Sequence, residues 1–143
     1  KGYEITEENI TNHIHDIAGV RIVCSFLDDV YDIVKIIEES NFIVIKKKKD
    51  YIKKPKETGY SSYHLIVEVP VFLSSGKIMV EAEIQIRTVA MDFWASLDHK
   101  IQYKFSTDIP NEVIEQMYQY SLEIKKMDKR MSKLNKMVNK YKK

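Results

Sequence analysis

Glu81-Ala-Glu-Ile-Gln-Ile-Arg-Thr88 alternates without a break. Successive side chains of a strand point to opposite faces, so Glu81, Glu83, Gln85 and Arg87 share one face, and Val80, Ala82, Ile84 and Ile86 the other. The second set can be buried. The first places two carboxylates, an amide and a guanidinium in a row, a set suited to holding metal ions and phosphates and costly to place under a core. A strand with one solvated face is the alternative, and two further segments bear on the choice. Asp16-Ile-Ala-Gly-Val-Arg-Ile22 sets an acid just ahead of a β-branched run and Arg21 within it. If that strand lies beside residues 78–87, Asp16 and Glu83 can share a divalent ion such as Mg2+, which takes one or two carboxylates and fills its shell with water and phosphate oxygens. Lys56-Glu-Thr-Gly-Tyr-Ser-Ser-Tyr-His64 combines a cation, a glycine turn, hydroxyls and aromatic rings. A tyrosine face can stack a base, a contact worth about 1–3 kcal/mol, and lysines neutralise phosphate as compact charges. For Tyr63, within a strand, packing is the expected role. His13 and His15 hint at a transition-metal site, but His64 and His99 lack ligand-like neighbours and that reading ranks low.

The chain must position these groups with 143 residues, 44% hydrophobic and 31% charged, which suits one domain with its own core. The net charge of +2 does not by itself demand a nucleic-acid partner. Lysines nevertheless crowd into residues 46–56, where Tyr51 and Tyr60 accompany them, a composition suited to single-stranded RNA. Cys24 is the only cysteine and is expected to be a small buried hydrophobe in a reducing, cytoplasmic setting. No apolar run is long enough to span a membrane, and no secretory signal is expected.

The spacing predicts a short helix from Thr6, a strand over 20–26, a helix capped by Asp28 or Asp29, and a strand over 42–45 running into the lysines. A loop over 53–59 follows. Strands over 63–72 and 78–87 are then joined by Ser74-Ser75-Gly76, and a helix capped by Thr88 runs to about Tyr103, its inner side carrying Met91, Trp94 and Ala95, then Leu97 and Ile101. From Asn111 onward Val113, Met117, Tyr120, Ile124, Met127, Met131, Leu134, Val138 and Tyr141 repeat in steps of four and three. That is the seam of one long amphipathic helix over 111–143, expected to fold back on the sheet or to pair with a second copy. The order of elements gives an α+β fold with a mixed, mainly antiparallel sheet of about four to five strands flanked by helices.

Taken in order, the segments 16–22, 59–64 and 83–88, with Ala90-Met-Asp-Phe-Trp-Ala-Ser-Leu-Asp-His99, resemble the synthetase domain of RelA/SpoT proteins, most of all its stand-alone small alarmone synthetases. The resemblance implies a nucleotidyltransferase-like fold and a GTP pyrophosphokinase. Such an enzyme moves pyrophosphate from ATP to the ribose 3′-hydroxyl of GDP or GTP, giving ppGpp or pppGpp. It implies Asp16 and Glu83 as catalytic and Mg2+-holding residues, with Glu83 either accepting the hydroxyl proton or helping to hold the ion. Tyr60 is implied as the platform under guanine. Lys56, with Lys49 and His64 nearby, falls at the acceptor phosphates, Arg21 on the ATP side, and Gln85 and Arg87 in the same row. Asp92 is placed to accept both hydrogens of the guanine Watson–Crick edge, which favours guanine over adenine. A homotetramer is implied as well. The family carries a basic helical stretch ahead of Lys1 that helps clamp ATP, and this chain is expected to lack it, along with the hydrolase and regulatory domains of the long members, so that no alarmone degradation is expected.

Overall fold

The computed structural model describes residues 18–105 and 109–141. The expected helix over residues 6–17, with His13, His15 and Asp16, lies outside them. Seven elements follow in order: β1 (Gly19–Cys24), α1 (Leu27–Glu38), β2 (Val44–Asp50), β3 (Tyr63–Leu73), β4 (Gly76–Thr88), α2 (Val89–Lys104) and α3 (Asn111–Tyr141). The four strands stand in the order β1-β4-β3-β2. β1 runs parallel to β4, and the β4–β3 and β3–β2 pairs are antiparallel. The expected α+β class and mixed, mainly antiparallel sheet are therefore what the structure has.

The apolar side of the β4 alternation is inside. Ile86 is fully buried and Ala82 nearly so, and β3 adds Leu65 and Val67. α1 closes this face with Val30, Val34 and Ile37, at the helical spacing its sequence announces. Cys24 is buried here, and burial pushes its thiol up. Tyr63 is buried too and meets Tyr31 edge-on at 6.0 Å between ring centroids. Burial, then the nearby Asp50, pushes the Tyr31 hydroxyl up to about 12.

Two boundaries differ from the expected ones. Neither Asp28 nor Asp29 stands at the α1 cap. Phe26 does, and Asp29, three residues on, reaches back to accept the Phe26 N–H at 3.0 Å, because a carboxylate in the first turn can satisfy a free amide from either side of the helix start. β2 begins at Val44 and contains the lysines instead of ending at them, with an irregularity in register between Ile45 and Lys47. The lysine run is therefore divided by the pleat. Lys47 and Lys49 pair with Ile66 and His64 on the polar face, whereas Lys48 turns to the α1 side and meets Glu38 at 2.6 Å. Lys46 pairs with Glu68 at 3.2 Å.

For the α3 seam, the alternative of folding back on the sheet is not what the described residues show. Of that seam only Met117 is buried, and Tyr120, Met127, Met131, Leu134, Val138 and Tyr141 are exposed. The helix docks through a neighbouring stripe of small and polar residues spaced by four, three and four. Ser121 packs against Gly59, the Lys125 ammonium donates to the Ile52 carbonyl at 3.5 Å, Asp128 accepts from the Thr88 hydroxyl at 2.7 Å, and Ser132 accepts from the Leu27 N–H at 3.0 Å. Specific partners decide the docking, so the polar stripe faces inward in spite of the transfer preference of the apolar one.

Candidate active site

The polar face of the sheet is assembled by register. Lys49 on β2 pairs with His64 on β3, His64 with Gln85 on β4, and Gln85 with Arg21 on β1. One row thus crosses all four strands, and Glu83 stands in the next row opposite Gly19. Paired residues of neighbouring strands share a face, so the alternation in one strand becomes a two-dimensional polar surface.

Hydrogen bonds lock this surface into a chain. Arg87, although 5% exposed, donates from Nη2 to the Tyr60 hydroxyl at 2.7 Å and to Gln85 Oε1 at 2.8 Å, and from Nη1 to Asp92 Oδ1 at 3.2 Å. Because a guanidinium can only donate, the Tyr60 oxygen accepts and its own proton is free to point at His64 Nε2, 2.9 Å away. That leaves the His64 proton on Nδ1, where it is donated to Glu83 Oε1 at 2.8 Å. The other carboxylate oxygen of Glu83 accepts from Gln85 Nε2 at 2.8 Å. The direction of every bond, and the tautomer of the imidazole, follow from one arginine.

Charge states agree with this order. Burial holds His64 below the ordinary imidazole value, against the opposing pull of its bond to Glu83, and the cations Arg87 and Lys49 act in the same sense as burial. Burial would raise the Glu83 carboxyl, but the bonds from Gln85 and His64, with the charge of Lys49, outweigh it and leave the group below its usual range. At neutral pH the pair is a neutral imidazole donating to a carboxylate.

The loop after β2 supplies the aromatic part. Asp50 Oδ1 accepts the Ile52 and Lys53 N–H groups at 3.1 and 2.9 Å and turns the chain. Lys56 and Tyr60 are then closed on each other by Lys56 N–H to the Tyr60 carbonyl at 3.0 Å and Gly59 N–H to the Lys56 carbonyl at 2.8 Å. Gly59 has φ +83° inside this turn, a conformation that side chains with a Cβ resist. The Lys56 ammonium lies 4.9 Å from the Tyr60 ring centroid and 5.3 Å from that of Tyr51, and Tyr51 stands edge-on to both Tyr60 and His64. Thr88 caps α2 by accepting the Met91 N–H at 3.1 Å, as expected from its place after the strand.

These elements enclose a cleft of about 1010 Å³. Arg21, Lys56, Tyr60, His64, Gln85 and Arg87 line it. Glu83 opens on a smaller adjoining recess with Gly19, Arg21 and Gln85. Asp92 holds two guanidinia, Arg87 and, at 3.4 Å, Arg21, on the same Oδ1. Asp16 lies outside the described residues, three positions before Gly19 in the chain. The opposite wall is formed by Ser96, His99 and Gln102 of α2. Ser96 and His99 belong to the segment that carries the family resemblance, but sequence reasoning gave none of the three a place in the site. Their spacing of three places them on one helical face, a signal present in the sequence but shared with any solvated helix side. It also passed over Tyr51 as part of this site.

As for a metal, Glu83 is an ionised oxygen donor with one N–H on each oxygen, which leaves lone pairs for a hard cation such as Mg2+. No group of three or more His, Cys, Asp or Glu side chains able to hold a metal occurs among the described residues.

Residues 3–108 match the region found in RelA / SpoT proteins, and the chain belongs to that family. It is 48% identical over 139 residues to GTP pyrophosphokinase YwaC of Bacillus subtilis, covering 97% of this chain and 66% of that protein. It is 40% identical over 121 residues to GTP pyrophosphokinase YjbM of the same organism, covering 85% of this chain and 57% of that protein. The chain thus spans between 57% and 66% of the length of these relatives, less than two thirds of each. Among solved structures, small alarmone synthetase 1 from Bacillus subtilis bound to its product pppGpp superposes with a TM-score of 0.84 at 38% identity, covering 94% of this chain and 69% of that one. Small alarmone synthetase 2 from the same organism gives 0.84 at 45% identity, over 92% and 77%.

Proposed function

We propose that the protein is a GTP pyrophosphokinase. The ribose 3′-oxygen of GDP or GTP bonds to the β-phosphorus of ATP, the bond from that phosphorus to the α–β bridging oxygen breaks, AMP leaves, and the hydroxyl proton is lost. The observation that carries the reading is the ordered chain Arg87–Tyr60–His64–Glu83, which presents an aromatic ring and a neutral imidazole in a cleft rimmed by lysine and arginine and an ionised carboxylate in the recess adjoining it. The relatives named as GTP pyrophosphokinases and the neighbour solved with pppGpp supply the substrate class.

Phosphoryl transfer requires mainly positioning and charge stabilisation. In this reading guanine stacks on Tyr60, while Arg87 and His64 hold the Tyr60 hydroxyl and so fix the ring. Lys56 and Lys49 face the acceptor phosphates, and Arg21 the ATP side. Glu83 receives the 3′-hydroxyl. Its lowered proton affinity makes it a weak base at neutral pH, so its main work is to orient the hydroxyl and, with Asp16, to hold Mg2+. When bound, the ion neutralises phosphate charge. Asp92, restrained by Arg21 and Arg87, is the candidate reader of the guanine edge. The exposed apolar seam of α3 supports association with further copies, a tetramer by family analogy. No helix among the described residues is long and apolar enough to cross a membrane, and we assign the protein to the cytoplasm. Single-stranded RNA is a weaker reading, because β2 divides the lysine run between two faces of the sheet and ties Lys46 and Lys48 to glutamates.

The test is transfer of label from ATP marked on its β- and γ-phosphates to GDP in the presence of Mg2+, with the full-length protein. Label in guanosine tetraphosphate is expected, and its loss in Glu83→Gln. Undiminished product from Glu83→Gln refutes the assignment of that residue.

A further inference from the structure

A second cavity, of about 440 Å³, lies behind the Tyr60 loop, between that loop, the start of α2 and the middle of α3. Its volume is within the range of about 300–1,000 Å³ usual for small-molecule sites. Ile52, Met91, Trp94 and Leu122 give it apolar walls, and Lys125 and Lys129 project from α3 at its edge. Trp94 is 2% exposed, and its indole N–H has no hydrogen-bond partner among the described residues. Neither lysine pairs with a carboxylate among the described residues: Lys125 reaches only the Ile52 carbonyl, at 3.5 Å, and Lys129 pairs with none. Among the described residues Lys56 adds a third ammonium without a carboxylate partner, and Lys53 a fourth that pairs with Asp50 at 3.3 Å, while the one carboxyl of the lining, Asp128, is engaged by Thr88 and has its proton affinity raised by burial. An apolar interior edged by unpaired cations fits a ligand with an apolar body and an anionic head.

The wall shared with the first cleft is the loop itself. Lys56 borders both spaces, Glu57, Thr58 and Tyr60 line the first, and Gly59 and Ser61 line the second. Gly59 is held at φ +83° against Ser121, so displacement of α3 or of the loop's rear side reaches Tyr60 through one peptide unit.

We propose that this cavity is a second ligand site, for a small organic anion with an aromatic or aliphatic body, and that its occupancy alters guanine-nucleotide binding through the shared loop. The second clause rests on the reading of the first cleft given above; the first does not.

The probe is 2-naphthoate, followed without nucleotide by the indole N–H signal of the only tryptophan. A saturable shift is expected. The neutral 2-naphthamide and the double variant Lys125→Met/Lys129→Met should each weaken it about tenfold, the loss expected for one hydrogen bond to a charged group, and inorganic phosphate should produce no shift. Circular dichroism of the variant verifies its fold, and the amide comparison requires no variant. Saturating naphthoate should then change the dissociation constant of GDP, and GDP should change that of naphthoate by the same factor. No saturable shift, or equal binding of acid and amide, overturns the site. An unchanged GDP constant overturns the coupling. Failure of GDP to bind at all counts against the first cleft's reading and the coupling together, while the naphthoate arm still decides the cavity.

Discussion

Gly59→Ala tests the positioning of the nucleotide platform at its most constrained point. An alanine at φ +83° adopts a left-handed conformation costing about 1–2 kcal/mol. Its Cβ would stand 2.0 Å from Ser121 Oγ and 2.3 Å from Ser121 Cβ, so the loop or α3 must move. Overpacking of this kind typically adds about 1–3 kcal/mol. The total, roughly 2–5 kcal/mol, is a large part of an ordinary domain's stability of about 5–15 kcal/mol, but the protein should still fold at low temperature. Tyr60 is the next residue, so its bonds to Arg87 and His64 should be disturbed and GDP binding weakened. Ser121→Gly removes both clashing atoms and costs about 0.5 kcal/mol of helix propensity. Urea unfolding of the parent, both single variants and the double variant closes the cycle. The double variant should regain about 1–3 kcal/mol, the steric part, and recover part of the GDP affinity, leaving the backbone strain at position 59 and the helix-propensity cost at position 121. Effects that add within about 0.5 kcal/mol would show that Gly59 and Ser121 are not coupled, and the account of how α3 supports the loop would fail.

Two further perturbations probe the hydrogen-bonded chain and the helix. His64 has a folded-state value below 6.5, so the folded protein resists taking up a proton that the unfolded chain accepts. Its contribution to stability is therefore complete above 6.5 and lost as pH falls through the folded value. His64→Gln should flatten the decline of unfolding free energy over that window in urea titrations at stepped pH, and an unchanged decline would show that His64 is not its source. Asp128 accepts the hydroxyl of Thr88, and its carboxyl is raised by burial. Asp128→Asn keeps an acceptor without charge and should be neutral or stabilising at pH 7 by thermal unfolding, whereas Asp128→Ala should cost about 1–3 kcal/mol by stranding the hydroxyl.

The parts of this molecule that could be read in the sequence are those where one local period decides the outcome. The strict alternation of residues 80–87 gave both faces of β4, because a strand buried on one side has no freedom of register. Thr88 as a cap and Met91, Trp94 and Ala95 as the inner side of α2 follow from equally local rules. The order of hydrogen bonds did not follow. That Arg87 would be buried and direct Tyr60 and His64 depends on a contact across 27 residues, which no periodicity encodes. α3 shows the limit most clearly. Its apolar seam was legible and is real as a stripe, but the helix docks through Ser121, Lys125, Asp128 and Ser132, whose partners Gly59, Ile52, Thr88 and Leu27 come from three distant segments. Polar complementarity of that kind exists only once the rest of the fold is in place. The extent of β2 was legible only in part for a related reason. The expected strand over 42–45 ran into the lysines, and it is the pairing of Lys47, Lys48 and Lys49 with β3 that carries it through them.

The measurement closest to the central claim is phosphorus NMR of a reaction containing the full-length protein, ATP, GDP and Mg2+. A pyrophosphokinase must yield AMP, and no ADP, in step with a guanosine product carrying a new diphosphate coupled to the ribose H3′ proton. Formation of ADP with GTP, or of ADP and free phosphate with the 3′-hydroxyl unmodified, would mean that the cleft transfers or hydrolyses the terminal phosphate, and the account would be wrong.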